Sequence, residues 1–380
     1  MKSSMSFYDE ISSYRWEEIK QEIESRTQVD VERAFAASPL RLEDFMSLLS
    51  QAAAPFLEEI AGRANRLTGQ RFGRVISLFA PLYLSNVCTN RCLYCGFNVQ
   101  NPAKRLTLTV DQTATEGKHL YDLGFRHLLL VSGDAPRIVT MEYLASVLEK
   151  LRPLFSSISI ELYPMHTAAY QELIQHGVDG LVIYQETYNE KRYREVHRGG
   201  KKTNYRRRLE TPERGGQAGF RRIGIGALLG LSDWRVEGFF LALHARYLLR
   251  NFWKSHLTVS FPRLRPAAGG YQPPFPVSDI HMVQLLTAMR LFLPDAGLIL
   301  STRESPSLRD HLIPLGITSM SAGSRTDPGG YTHATCTEAQ FQIADDRSSQ
   351  AVAEIIRQKG YEPVWKDWDA AFLDKAQAGG

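Results

Sequence analysis

The chain has 380 residues, of which 43% are hydrophobic and 23% charged, close to the globular average and unlike a disordered chain, a collagen or a coiled-coil rod. Lys and Arg number 45 against 41 Asp and Glu, and a net charge of +4 is too small over this length to point to nucleic acid. No run of about 18 apolar residues marks a membrane span, and the acidic N-terminal stretch MKSSMSFYDEISSYRWEE lacks the apolar segment of a secretion signal, so a cytoplasmic chain is expected.

Residues 1–72 read as a helical extension, carried by SFYDEISSYRWEEIKQEIESRT, Thr27 to Ala37 and Arg41 to Leu67. From Val75 short apolar runs alternate with amphipathic stretches. The pattern predicts strands over Val75–Leu84, His127–Ser132, Ile158–Leu162, Gly180–Tyr184, Arg222–Ala227, Leu257–Phe261, Leu298–Thr302 and Thr318–Ala322. Helices are expected between them, over Asp111–Leu123, Met141–Leu151, Thr167–His176, Asn204–Ala218, Trp234–Phe252, Ser278–Leu293 and Pro306–Ile313. Gly124, Gly177, Gly219 and Gly316 close several of these in the position past a helix end that favours glycine. Strands and helices alternating through short links imply parallel pairing, and eight strands in about 250 residues match a closed (β/α)8 TIM-type barrel over residues 73–325. An open doubly wound sheet is the alternative. The Gly- and Ser-rich SAGSRTDPGGY leads into residues 326–380, a C-terminal tail expected to pack on the barrel.

Four cysteines are too few for a disulfide framework, yet three of them are clustered as Cys88, Cys92 and Cys95, spaced C-x3-C-x2-C. They directly follow the first strand, which places them on a loop at its C-terminal end, the catalytic face of such a barrel. Three thiolates with no fourth nearby suit a [4Fe–4S] cluster with one iron lacking a protein ligand, open to an exogenous group. The alternatives are a zinc site and a chance group of buried cysteines. A structural zinc takes four ligands, and the nearest histidine downstream is His119. Cys336, alone in the tail, reads as a small buried hydrophobe.

C-x3-C-x2-C after the first barrel strand, with Tyr94 before the last cysteine, resembles the motif of the radical S-adenosylmethionine (SAM) enzymes. PLYLSN, YCGF, HLLLVSGD, YQETY, RLETPER, IGALLGLSDWR, SFPRLRP, STRESP, PGGY and PVWKDWD extend the likeness along almost the whole chain. Together they resemble the 2-iminoacetate synthase family, tyrosine lyases of thiamine thiazole biosynthesis. The resemblance implies a radical SAM lyase that cleaves the Cα–Cβ bond of L-tyrosine. The products are 2-iminoacetate and p-cresol, while SAM becomes methionine and 5′-deoxyadenosine. It also implies a reductant such as flavodoxin or ferredoxin, and thiazole synthase as a protein partner.

The same likeness suggests individual roles. Cys88, Cys92 and Cys95 would hold the cluster. Ser132-Gly133-Asp134 stands where the family's turn meets the SAM amino group; relatives usually carry Glu at Asp134, one methylene longer, and Gly133 alone reads as a turn glycine. Gln185 and Glu186 would hold SAM or order its neighbours, although Glu186 by itself also reads as an N-cap partner of the next helix. Arg208 is implied for the SAM carboxylate, the rest of the basic run Arg198–Arg208 being surface charge. Gly224, Gly226 and Leu228 would back the adenine. Arg263 and Arg265, like Ser301 and Arg303, are spaced i, i+2 at strand ends, so each pair shares one face, and a buried arginine there needs an anionic partner. A free amino acid offers one. The resemblance selects Arg303, helped by Ser301, for the tyrosine carboxylate, with Arg263 and Arg265 as further substrate contacts. An internal pair of Arg303 with Glu304 is the alternative. Arg303, Ser301 and Glu186 are thus the catalytic candidates.

A rival is the tyrosine lyase of [FeFe]-hydrogenase maturation, which carries three further cysteines for a second cluster, where this chain offers only Cys336. A lyase of another aromatic amino acid is a second. A nucleic-acid module acting through RGGKKTNYRRR is a third, disfavoured by the barrel-like pattern.

Overall fold

The computed structural model describes residues 6–333 and 337–367. Its strands are β1 (Val75–Ser85), β2 (His127–Ser132), β3 (Ser157–Glu161), β4 (Gly180–Glu186), β5 (Arg222–Ala227), β6 (His256–Ser260), β7 (Gly297–Leu300), β8 (Ser319–Ser321) and β9 (Glu362–Val364). Strands β1 to β8 pair in parallel in chain order, and β1 pairs with both β2 and β8, which closes the barrel and removes the open-sheet alternative. Strand β9 adds in parallel to the start of β1, Val75↔Glu362 to Ser77↔Val364.

The eight strands fall within one or two residues of the predicted runs at most ends, because each is an apolar stretch buried on both faces. The helical pattern differs in two places. The predicted helix Asn204–Ala218 is two helices, Tyr205–Leu209 and Thr211–Ala218, divided at Glu210. Pro212 has no N–H to continue the ladder and disfavours helical geometry before it, so it opens a new helix. A helix over Glu190–Val196, capped by Asn189, was not predicted; in EKRYREV only Tyr193 and Val196 are buried, too few to show a period.

Five N-terminal helices, from Phe7–Ile11 to Leu57–Phe72, lie on the outer ring. Two of them start with reciprocal capping boxes, Ser6 with Asp9 and Thr27 with Asp30. They are held to the barrel by ring stacking. Phe7 lies 3.9 Å from His244, and Trp16 lies 5.5 Å from Phe240 on the helix Trp234–Asn251. Phe45 lies 4.7 Å from Phe292 on the helix Asp279–Phe292.

After β8 the chain crosses the C-terminal mouth of the barrel. The Tyr331 hydroxyl donates to the Pro81 carbonyl (2.7 Å), the Tyr83 hydroxyl donates to Gln340 Oε1 (2.7 Å), and the Ala344 N–H donates to the Thr302 carbonyl (2.9 Å). This segment roofs the mouth before the helix Ser349–Gln358 and β9 return to the other end. Cys336 lies outside the described residues.

Candidate active site

The cysteine loop is built by its neighbours. The carbonyl of Asp134, just past β2, accepts from both the N–H (3.0 Å) and the hydroxyl (2.9 Å) of Thr89. Asn90 joins three segments: its Nδ2 donates to Asp134 Oδ2 (2.9 Å), and its Oδ1 accepts the Lys202 N–H (3.0 Å). Leu93 N–H donates to the Val196 carbonyl (3.0 Å), and Arg105 clasps the loop through the carbonyls of Asn86, Phe97, Asn98 and Asn101. Gly133 is not a positive-φ turn residue. It is glycine because a Cβ there would stand 2.2 Å from the Val87 carbonyl oxygen, against the cluster loop itself.

The three cysteines act on one another electrostatically, as grouped thiols must. Burial pushes the Cys92 thiol up to about 12 and that of Cys95 up to about 11, so a bound cation is what would hold them as thiolates. Among the described residues no three His, Cys, Asp or Glu side chains close on a single metal ion. Zinc would need all its sulfurs about 2.3 Å from one centre. An iron–sulfur cube instead takes one thiolate per iron, and three thiols on a loop with no fourth donor fit it.

Two cavities open at this end of the barrel. One, of about 690 Å³, is bordered by Asp134, Tyr163, Lys202, Arg207 and Arg208. The other, of about 950 Å³ and open to solvent, lies against Cys95 and is walled by Tyr83, Glu161, Tyr184, Ser301 and Arg303. Lys202 borders both. Strand register explains which residues reach the second cavity. Odd positions point inward on β1 to β3 and past β7, and even positions on β4 and past β5 and β6.

Glu186 lies at the junction. Among the described residues it is the only non-glycine with positive φ, 74°, at a register shift between β4 and β5. Such a conformation costs on the order of 1–3 kcal/mol and persists where the surroundings hold it. Here Lys202 Nζ lies 2.6 Å and Arg208 Nη2 3.4 Å from its Oε1. Burial alone would raise the Glu186 carboxyl, but Lys202 and Arg208 outweigh it and hold it at about 2. It is not an N-cap; Asn189 caps the next helix. Lys202, expected to be one more surface charge, is thus a half-buried member of the site.

The remaining candidates divide. Arg208 keeps one edge on the Tyr184 carbonyl (Nε, 2.6 Å). Asp134 Oδ1 is buried and has no partner among the described residues, an acceptor fit for an amine. Both amide atoms of Gln185 are likewise buried and unpartnered, but the side chain borders neither cavity. The Ser132 hydroxyl donates to the Gly133 carbonyl (2.9 Å). Leu228 lines the second cavity, whereas Gly224 and Gly226 do not. A Cβ on Gly226 would meet the Tyr184 ring at 2.7 Å, and one on Gly224 would meet Val182 and Thr258 at 3.0 Å. Those glycines make room for the neighbouring side chains.

The expectation for Arg263 and Arg265 also needs correction. Past β6 it is Pro262 and Leu264 that face the cavity, so the arginines point away from it. Arg263 Nε donates to Glu304 Oε2 (2.8 Å) and Nη1 to Asp279 (2.7 Å). Glu304 therefore pairs with Arg263 rather than with Arg303. The Arg303 guanidinium lies 3.3 Å over the Phe341 ring, with no carboxylate on it among the described residues.

Comparison with known proteins decides the family. The chain is 47% identical over 372 residues to 2-iminoacetate synthase of Escherichia coli (strain K12), covering 98% of both chains. The chain belongs to the 2-iminoacetate synthase family. The Salmonella typhimurium enzyme of that name is 46% identical over 96% of this chain and 97% of its own. Residues 82–243 match the radical SAM superfamily, and residues 260–362 match the biotin and thiamin synthesis associated domain. The fold is similar to the crystal structure of HydG, a maturase of the [FeFe]-hydrogenase, with a TM-score of 0.87 and 30% identity over 96% of this chain and 84% of that one. As a radical SAM enzyme of this family, the protein uses a [4Fe–4S] cluster and SAM.

Missed by sequence reading were Lys202 and Glu161. A lone acid in the apolar run SISIEL is a signal that was available for Glu161.

Proposed function

We propose that this enzyme cleaves the Cα–Cβ bond of L-tyrosine to 2-iminoacetate and p-cresol, providing 2-iminoacetate for thiamine thiazole synthesis. The observation that carries this reading is near full-length likeness to 2-iminoacetate synthases, joined to a cavity that sets an unpaired arginine beside the cysteine loop. When bound, the cluster and SAM supply a 5′-deoxyadenosyl radical. Cys88, Cys92 and Cys95 hold the cluster. Asp134 Oδ1 accepts from the SAM amino group, and Arg208 Nη1 donates to its carboxylate. In the second cavity Arg303 binds the tyrosine carboxylate with Ser301 beside it, and the ring rests among Tyr83, Leu129 and Tyr184. The segment that crosses the mouth limits the access of bulk water to reactive intermediates.

Reduction is by a one-electron donor such as flavodoxin or ferredoxin. 2-Iminoacetate hydrolyses readily, so thiazole synthase is the partner that receives it. The rival reading, hydrogenase maturation, finds less support: the chain matches 84% of the HydG chain against 98% of the E. coli synthase. The test is anaerobic incubation of reconstituted enzyme with SAM, dithionite and tyrosine, with products read by mass spectrometry. Equal amounts of 5′-deoxyadenosine and p-cresol are expected. Deoxyadenosine without p-cresol would overturn the substrate.

A further inference from the structure

Two opposite charges stand half-buried in the barrel mouth with no ion-pair partner among the described residues. Glu161 ends β3 and Arg303 follows β7, four strands round the barrel, so their side chains enter one cavity from opposite walls. Neither side chain makes an ion pair among the described residues, and no ion pair joins them, though each acts on the other electrostatically. The other charges that face Glu161 are spoken for: Glu186 is neutralised by Lys202 and Arg208. Tyr83 and Tyr184, on the same walls, are held neutral by burial. A charge shielded from water without a partner is costly, and such a group lining a cleft is a candidate ligand contact. The ligand that completes both must carry a carboxylate and a cation close together. An α-amino acid does, on one carbon.

We propose that Glu161 binds the α-ammonium group of the substrate and takes one proton from it before a hydrogen atom is removed from that nitrogen. The inference rests on the tyrosine reading above. The step balances as a proton transfer: one N–H bond breaks heterolytically, its electron pair stays on nitrogen, and an O–H bond forms on the carboxylate. The ammonium becomes a neutral amine, and no electron leaves the site. The amine matters chemically. An ammonium nitrogen has no lone pair to support the breaking Cα–Cβ bond, whereas a neutral amine keeps one as hydrogen is lost. Burial, with Glu186 beside it, raises the Glu161 carboxyl to about 7, so it can hold the proton near neutrality.

The test uses Glu161→Gln in reconstituted enzyme with SAM. Two ligands are compared: L-tyrosine and 3-(4-hydroxyphenyl)propionate, which keeps the phenol and carboxylate but has no amine. Loss of a charge-assisted contact should weaken tyrosine binding about ten- to a hundredfold. Propionate binding should be unchanged, and p-cresol formation should fall even at saturating tyrosine. Equal weakening of both ligands, or wild-type tyrosine binding and turnover, would overturn the proposal. If the Gln variant does not hold its cluster, Glu161→Asp gives the same comparison, with tyrosine alone weakened as the supporting result. A wild-type enzyme that binds propionate and tyrosine equally tightly would overturn the amine contact. One that binds neither would overturn the tyrosine reading, and the amine contact with it.

Discussion

The two ends of the barrel bury arginine in opposite ways. At the N-terminal end Arg290 is fully buried and anchored through both terminal nitrogens, Nη1 donating to the carbonyls of Leu293, Pro294 and Ala296 and Nη2 to Gly316, while Nε has no acceptor among the described residues. It ties the segments that enter β7 and β8. Nearby, Asp367 takes His127 Nε2 at 2.6 Å. At the C-terminal end Arg303 is half-buried, and among the described residues only a ring face meets its guanidinium. Among the described residues Glu161 has no ion-pair partner, Asp134 and Gln185 keep orphan atoms, and Glu186 sits in a strained conformation. One end uses charge to hold the chain together. The other keeps charge in reserve for ligands. The difference teaches that burial of an arginine says little until its acceptors are counted.

The sharpest way to break this comparison is at the cluster loop. Cys92→Ala should remove the cluster iron and all SAM cleavage, because three thiolates are the fewest that leave one iron open. Thermal unfolding of the apo-protein should change little, since the loop is also held by Asn90 and Arg105. Iron analysis and deoxyadenosine assay check it; retained SAM cleavage would exclude Cys92 as a ligand. Arg290→Met reverses the pattern. It leaves buried carbonyls without donors, at about 1–3 kcal/mol each for those that find no water. A fall in melting temperature of several degrees is expected, with p-cresol formed per folded molecule unchanged.

Much of the barrel was legible because parallel strands read as continuous apolar runs and the helices end at glycines. The cysteines were legible through spacing alone. What the sequence hides is parity. Arg263 and Arg265 share a face, as expected of i, i+2 residues, but which face depends on the register of β6 with its neighbours. That Gly224 and Gly226 leave room for Val182 and Tyr184 is likewise visible only in the folded chain. Lys202 is one of six basic residues in RGGKKTNYRRR, and nothing local separates it from the rest; its partner Glu186 is 16 positions away and reaches it only in the folded chain.

Arg303→Lys sharpens the contrast between the two arginines. A point charge cannot replace a fork on a carboxylate, so tyrosine binding should weaken by about 1.5–3 kcal/mol, roughly ten- to a hundredfold. Stability should not fall, since among the described residues no acceptor loses its donor. Calorimetric titration with tyrosine and a melting curve check both halves. Wild-type tyrosine affinity in the Lys variant would remove Arg303 from the substrate site.

The smallest expected effect is at Asp134, which belongs to both patterns at once. One oxygen, Oδ2, is structural and receives Asn90, while the other, Oδ1, is buried and free. Asp134→Asn keeps the shape but leaves a single carbonyl oxygen for two tasks. If that oxygen stays with Asn90, an amide NH2 faces the SAM amine. If it turns to SAM, the Asn90 contact breaks and the tie from Asn90 to the Lys202 N–H loosens. Either way one charge-assisted bond is lost, so SAM affinity should fall by about 1.5 kcal/mol, near tenfold. Tyrosine affinity should be unchanged, because Asp134 borders the first cavity and not the second. Binding of SAM to reconstituted enzyme, measured with and without tyrosine, separates the cases. Unchanged SAM affinity would mean that the backbone of the turn, packed against Val87 through Gly133, makes the contact and that the acid serves only the cysteine loop.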